Sequence, residues 1–407
     1  MFQTYGALFK TPGGLKFSLA GLVGRMPISM DSLSLVFIVV AATNSYAIAG
    51  ALSAVAAIVM SIAGPFWARS ADRFGQRKTL LIVIPLRFLT FSIFVALVLN
   101  NAPIWSWFVS IIVAELTALN AGGMVRARWL HALSPDKTST AEDQSDRHIV
   151  NTAYSYEGLM DEFVWIIGPV IATAFATSIA PSAGIIAGMV FMVIGLSALA
   201  AQKSSEPPPS PRNIKKPHAP VIRNRIVQAI VIPSALVGGF FGAIAIAVVA
   251  FMQINNEASK TGLVLAIWGS GSAISAIING VIKWKATPGA LFISFLISLA
   301  LLSIPLLFVH SIFTLTLALF VNGFAIAPLI VNAYRVVESA VPPQQITESL
   351  SWVVAGMPIG GALSSAIVGW AIDTHGAETA FWVPVGFVFA ALLATLPYFS
   401  TYRGRIS

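Results

Sequence analysis

The chain has 407 residues, 57% of them hydrophobic and only 10% charged, with a mean hydropathy of +0.84. A soluble domain carries about a quarter charged residues, so a soluble globular fold is excluded. The lack of cysteine removes disulfides, thiolate metal sites and a thiol nucleophile. The net charge of +8 is that of many nucleic-acid binders, but the placement of the basic residues gives it another meaning.

The apolar residues come in blocks of about 20–25, enough to cross a hydrocarbon core of ~30 Å. In chain order the predicted spans are 17–42, 46–68, 79–99, 103–130, 149–176, 181–201, 225–252, 261–282, 287–308, 311–338, 346–371 and 379–400. The first block is too long for the apolar region of a signal peptide and is expected to span. The turns after the odd-numbered spans, "TNSY", "NNAP", "SIAP", "NNEASK", "HS" and "DTHGAE", hold one basic residue, Lys260. The opposite connections hold Arg69, Arg73, Arg77, Lys78, Lys137, Arg147, Lys203, Arg212, Lys215, Lys216, Arg223, Arg225, Lys283 and Lys285. Lys10, Lys16, Arg403 and Arg405 lie near the ends. The positive-inside rule then predicts an even number of spans with both termini cytoplasmic. The basic excess is a topology signal, and nucleic-acid binding is not expected.

Between the sixth and seventh blocks lies "QKSSEPPPSPRNIKKPHAPVIRNR", too polar and proline-rich to bury a core. It reads as an extended cytoplasmic linker, 202–224, between a first set of six spans, 1–201, and a second, 225–407. The acid-rich "SPDKTSTAEDQSDR" between spans 4 and 5 reads as a solvated connection.

The connection between spans 2 and 3, "GPFWARSADRFGQRKTLL", sets two basic clusters around an acid and a glycine. It resembles the loop 2–3 signature of the major facilitator superfamily, with Asp72, Arg73, Gly75, Arg77 and Lys78 matching its core. Gly64 stands eight residues before Asp72 rather than four, Ala68 takes the usual glycine position, and Gln76 precedes the Arg/Lys pair. "GMPIGGALSSAIVGWAIDTHGAETAFW", Gly356 to Trp382, is similar to the span 11–12 region of the same superfamily. The subgroup it most resembles is that of actinobacterial exporter-like facilitators. The resemblance implies an all-α integral membrane protein with twelve transmembrane helices in two six-helix bundles related by pseudo-two-fold symmetry. In such folds the halves rock around a midplane site, and the resemblance places spans 1, 4, 7 and 10 around the cavity. It also gives Asp72, Arg73, Gly75 and Arg77 the part of a conformational latch. A plain topological anchor is the alternative for Arg77 and Lys78.

Ionisable residues inside spans are costly and mark pathways, relays or buried pairs. The first half holds Asp31, Glu115, Glu157, Asp161 and Glu162 against Arg25, Arg87, Arg126 and Arg128, whereas the second holds only Arg335 and Glu338. Five acids against four arginines leave surplus negative charge in low dielectric, so at least one carboxylate is expected to be protonated in one conformation. At 1.5 Å per residue Glu115 lies near mid-depth, about 18 Å from one end of its span, and Asp31 lies about 9 Å beyond Arg25. Arg87 and Glu157 lie at similar depth, which makes them possible partners, and Arg128 is placed to snorkel to the interface. Asp31 and Arg25 stand about 120° apart on their helix, so they are not expected to pair.

On span 5, "YEGLMDEFVWIIGP", Glu157, Asp161, Val164, Gly168 and Ala172 share one helical face. Glu162 points about 100° away from Asp161. "IIGPVIAT" resembles the end of the span 5 antiporter motif of facilitator exporters, with Gly168 and Pro169 matching and Ala172 and Thr173 replacing its glycine pair. A helix-packing notch at Gly168–Pro169 is the simpler reading.

Asp31, Glu115, Glu157, Asp161 and Arg25 are therefore the expected proton-coupling or substrate residues, with Arg87, Arg126, Glu162 and Arg335 as charge-network partners. The expected function is secondary active transport of a small molecule by alternating access in the plasma membrane, by a monomer. Proton-coupled efflux of an amphiphilic or cationic compound comes first. A proton-coupled importer or uniporter of a nutrient is the alternative, and a transporter-like receptor or lipid-handling protein a third reading. No cofactor, metal or enzymatic activity is expected, since no nucleotide loop, ligand cluster or nucleophile triad is visible.

Overall fold

In hydrocarbon every backbone N–H and C=O must find a partner within its own segment, so long apolar runs become helices. The computed structural model describes residues 8, 11–133, 143–209, 224–282, 284–341 and 346–398. Span 1 is built of α1 (Gly14–Arg25) and α2 (Pro27–Thr43), span 2 of α3 (Tyr46–Phe74), and span 3 of α4 (Gln76–Leu99). Span 4 comprises α5 (Ile104–Glu115) and α6 (Ala121–Leu133), span 5 is α7 (Asp143–Ser178), and span 6 is α8 (Ala183–Ala201). In the second half, α9 (Arg225–Ile254), α10 (Thr261–Val281) and α11 (Pro288–Ser303) form spans 7, 8 and 9. Span 10 comprises α12 (Ile312–Gly323) and α13 (Ile326–Ala340), and spans 11 and 12 are α14 (Ile346–His375) and α15 (Trp382–Ala394). Eleven segments are long and apolar enough to cross a membrane, and the shorter apolar helix α5 supplies part of the twelfth span. Among the described residues there are no strands.

Three spans are interrupted where the sequence reading had continuous helices. Span 1 breaks at Met26, ahead of Pro27, which has no N–H to continue the ladder. In span 4 the ladder tightens after Glu115, with Thr117 N–H donating to Ala114 O and Ala118 N–H to Glu115 O. Trp67 Nε1 takes up the Leu116 carbonyl at 2.7 Å, and Asn120 Oδ1 accepts from Gly123 N–H at 3.0 Å to start α6. In span 10 the same tightening falls on Asn322–Ala325. There the Asn322 side chain donates to Ser303 Oγ and accepts from Trp268 Nε1.

Other boundaries shift for local reasons. Helix α3 runs on through Asp72 and Arg73, so the expected loop between spans 2 and 3 shrinks to Gly75, whose φ of 96° needs glycine. Helix α7 starts at Asp143 rather than 149. The polar connection after span 4 lies outside the described residues at 134–142, and the linker does so at 210–223. The described part of that linker is not extended throughout, because Lys203–Ser205 forms a 3-10 turn.

Contacts divide the chain into two units, residues 1–34 with 62–214 and residues 35–61 with 215–407. In the first unit spans 1, 3, 4, 5 and 6 share a core built around Phe17, Leu80, Val125, Trp129, Ala153, Leu196 and Leu199. The Phe17 and Trp129 rings meet edge to face at 4.7 Å. In the second unit α9 and α14 cross at Gly238, Gly242 and Gly360, where the backbones touch and a side chain could not fit.

Candidate functional site

The core that ends in Trp129 also seats a group of charges. Arg25 is buried on α1 and reaches α7 with both guanidinium ends: Nη2 pairs with Glu157 Oε2 at 2.5 Å and Nη1 with Asp161 Oδ1 at 2.8 Å. Its Nε donates to the Gly21 carbonyl. One helical turn separates Glu157 from Asp161, which is why a single arginine spans both. Glu157 is fully buried, and its other oxygen accepts from Ser18 Oγ and from Trp129 Nε1 at 2.8 Å. Ser18 lies two turns before Arg25 and so shares its face. Asp161 Oδ2 takes a second cation, Arg126 Nη2, at 2.7 Å. Two arginines thus face two carboxylates, and this group is electrically balanced.

A second group lies on spans 1, 3 and 4. Arg87 Nη2 pairs with Asp31 Oδ2 at 3.1 Å and Arg87 Nη1 with Glu115 Oε2 at 3.2 Å. Arg87 also stacks on the Phe91 ring, its guanidinium carbon 4.5 Å from the centroid. Arg87 is 9% exposed and Glu115 4%, so little water screens them. Glu115 is the last residue of α5, held in place by the interruption of span 4. Asp31 lies against span 6 at Gly188, where a methyl group would sit 2.9 Å from its Oδ1. One guanidinium here serves two carboxylates, so the trio carries one net negative charge when all three are ionised.

The sequence reading is altered at several residues. Arg87 binds Asp31 and Glu115 rather than Glu157, because Arg25 has already filled Glu157. Arg128 does not snorkel: it is fully buried, donating from Nε to Gln76 Oε1 at 2.8 Å and from Nη1 to Gln202 O and Ser205 Oγ. Gln76 comes from the start of α4, and the turn after span 6 supplies Gln202 and Ser205. Glu206 in the same segment accepts from Arg77 N–H at 2.9 Å, at the start of α4. Glu162 is half-buried and joins no ion pair among the described residues, and Asp72 and Arg73 are exposed. Arg335 is exposed on α13. Gly168 packs against Ser29 and Met30, and Ser29 Oγ donates to the Val164 carbonyl at 2.8 Å, joining spans 1 and 5.

Ser18, Trp129 and Gly188 escaped the sequence reading. The spacing of Ser18 from Arg25 offered a signal for the first. Nothing in the sequence points to Gly188.

Paired buried charges on interrupted helices, inside a bundle of this length, are features of polytopic transporters. The sequence pattern of the Major Facilitator Superfamily matches residues 17–256 and 231–406, and the chain belongs to that family. No curated protein matches it. Among solved structures it is similar to the nucleoside transporter NupG, with a TM-score of 0.73 at 11% identity over 95% of this chain and 98% of that one. A peptide transporter of the POT family gives 0.70 at 12% identity, covering 96% of each chain. A D-xylose–proton symporter gives 0.69 at 16% identity over 97% and 98%. At such identities the likeness concerns the fold: a secondary-transporter fold whose relatives carry different solutes.

Proposed function

We propose that the chain is a proton-coupled antiporter that exports a small amphiphilic or cationic compound across the plasma membrane, with both termini cytoplasmic. The observation that carries this reading is the Asp31–Arg87–Glu115 trio, with its single net negative charge and with Arg87 and Glu115 buried. A proton neutralises the trio, and so does a cationic solute. Both together leave a net positive charge: two unit charges about 4 Å apart repel by about 4 kcal/mol at an effective dielectric of about 20. That is nearly a thousandfold penalty. Proton and cation therefore occupy the trio in turn, which is the condition for exchange. The balanced group of Arg25, Arg126, Glu157 and Asp161 has no such surplus, and its proposed role is to hold spans 1, 4 and 5 together.

The test is exchange in proteoliposomes with an imposed proton gradient. Wild-type protein should expel a cationic solute against its gradient and take up protons in return, whereas Asp31→Asn and Glu115→Gln should allow only downhill movement. Full proton-driven accumulation in both variants would overturn the reading. One observation favours a second reading, import of an anionic nutrient. The Arg126 and Asp161 side chains are 34% and 36% exposed, so a solute carboxylate can replace Asp161 at Arg126. Proton-driven uptake of an acid, lost in Arg126→Gln, would select that alternative. Asp72, Arg73, Gly75 and Arg77 keep their proposed part as a cytoplasmic latch. The two six-span halves, 1–201 and 225–407, joined by the linker at 202–224, are the proposed moving bodies.

A further inference from the structure

On the side of the second unit that is poor in basic residues, Asp373 sits near the end of α14 and serves neither charge group. Its carboxylate accepts from Ser45 Oγ at 2.6 Å, from Tyr46 N–H at 2.9 Å and from Ala47 N–H at 2.9 Å. The two amides belong to the first turn of α3, where backbone donors have no partner inside the helix. Negative charge is favoured there by the helix dipole, and the bonds are charge-assisted. Tyr46 Oη donates to Gln253 Oε1 at 2.6 Å, at the end of α9. Along the same crossing Gly369 lies against the backbone of Tyr46 and Ala47, and Gly50 against the Ser365 carbonyl. A side chain at either glycine would force the helices apart. Residues 35–61 belong by connectivity to the first six spans, yet they pack into the unit that contains spans 7 to 12.

We propose that Asp373 is an outer-face latch: it grips the start of span 2 and holds the outer ends of spans 1 and 2 on spans 7 and 11. This inference rests on the alternating-access reading, in which that grip must open once per cycle. The latch is reversible because Asp373 is exposed, so water can replace Ser45, Tyr46 and Ala47 as its partners. Tyr46–Gln253 and the two glycine crossings guide the ends back into register when it closes.

The chain has no cysteine, so paired labels need no background removal. Spin labels on Ala42→Cys and Glu378→Cys, both exposed and outside the latch, report the distance across this face in the full chain in lipid nanodiscs. Asp373→Ala removes all three hydrogen bonds and should raise the ratio of long-distance to short-distance population about tenfold. Asp373→Asn keeps the shape, loses the charge, and should give an intermediate rise. A distance distribution unchanged in both variants would overturn the latch. Asp373→Asn also guards against misfolding, since its thermal transition should stay at the wild-type value. Solute exchange in the same preparations separates the two proposals. Absence of exchange by the wild-type protein strikes the transport reading, while an unchanged distance with exchange intact strikes only the latch.

Discussion

Glu157→Gln is the sharpest test of the packing around Arg25. In the native chain Glu157 Oε1 receives Ser18 and Trp129, and Oε2 receives Arg25, with the carboxylate fully buried. An amide can keep its oxygen toward Ser18 and Trp129, but its NH2 group then faces the Arg25 guanidinium, donor against donor. Removing one member of a buried pair costs about 3–5 kcal/mol because the other charge is left uncompensated. Asp161 still holds Arg25 Nη1, so the lower end, about 3 kcal/mol, is expected. Arg25→Gln/Glu157→Gln removes the stranded charge and should cost less than the sum of the two single changes by at least about 1.5 kcal/mol. Reversible unfolding in mixed micelles, followed by the fluorescence of the 10 tryptophans, measures all four proteins of the cycle. Proton dependence of exchange should survive in Glu157→Gln, since the surplus charge lies at Asp31 and Glu115. A cost below about 1 kcal/mol, or strict additivity in the double variant, would refute the reasoning.

Two other substitutions test positions that the structure singles out. Gly188→Ala places a methyl group 2.9 Å from Asp31 Oδ1, so the carboxylate must shift, which disturbs the pair its other oxygen makes with Arg87. Proton-driven exchange should fall about tenfold with little change in thermal stability, and equal losses in both would point to general damage instead. Gly75→Ala forces a side chain into a conformation with φ 96° and ψ 148° and sets its Cβ 2.9 Å from Glu206 Oε1. Unfolding measurements should show a loss of about 1–3 kcal/mol, only partly relieved by adding Glu206→Ala because the backbone strain remains.

How much of this was legible beforehand differs from residue to residue. The number of spans and their order followed from the apolar blocks, because a bilayer sets segment length and forbids unsatisfied backbone. The shared face of Glu157 and Asp161 followed from helical phase, and so did the separation of Asp31 from Arg25. The interruption of span 4 was not legible. It depends on Trp67 from another helix taking the Leu116 carbonyl, and nothing within "ELTALN" announces a neighbour 49 residues away.

The same division holds for the charges. By itself the sequence determined that acids outnumber arginines within the first six spans, and that the surplus must be carried somewhere in low dielectric. Only the tertiary structure decided where. It paired Arg25 and Arg126 with Glu157 and Asp161, and left Arg87 to serve both Asp31 and Glu115. It also drew the buried Arg128 under the turn that follows span 6, where depth along its own helix had put it at the interface. The physical reason is that helical periodicity fixes the direction of a side chain on its own span. Which opposite charge it meets depends on how five helices are turned toward one another, and that is set by packing at contacts such as Gly24 with Gly195 and Gly168 with Ser29.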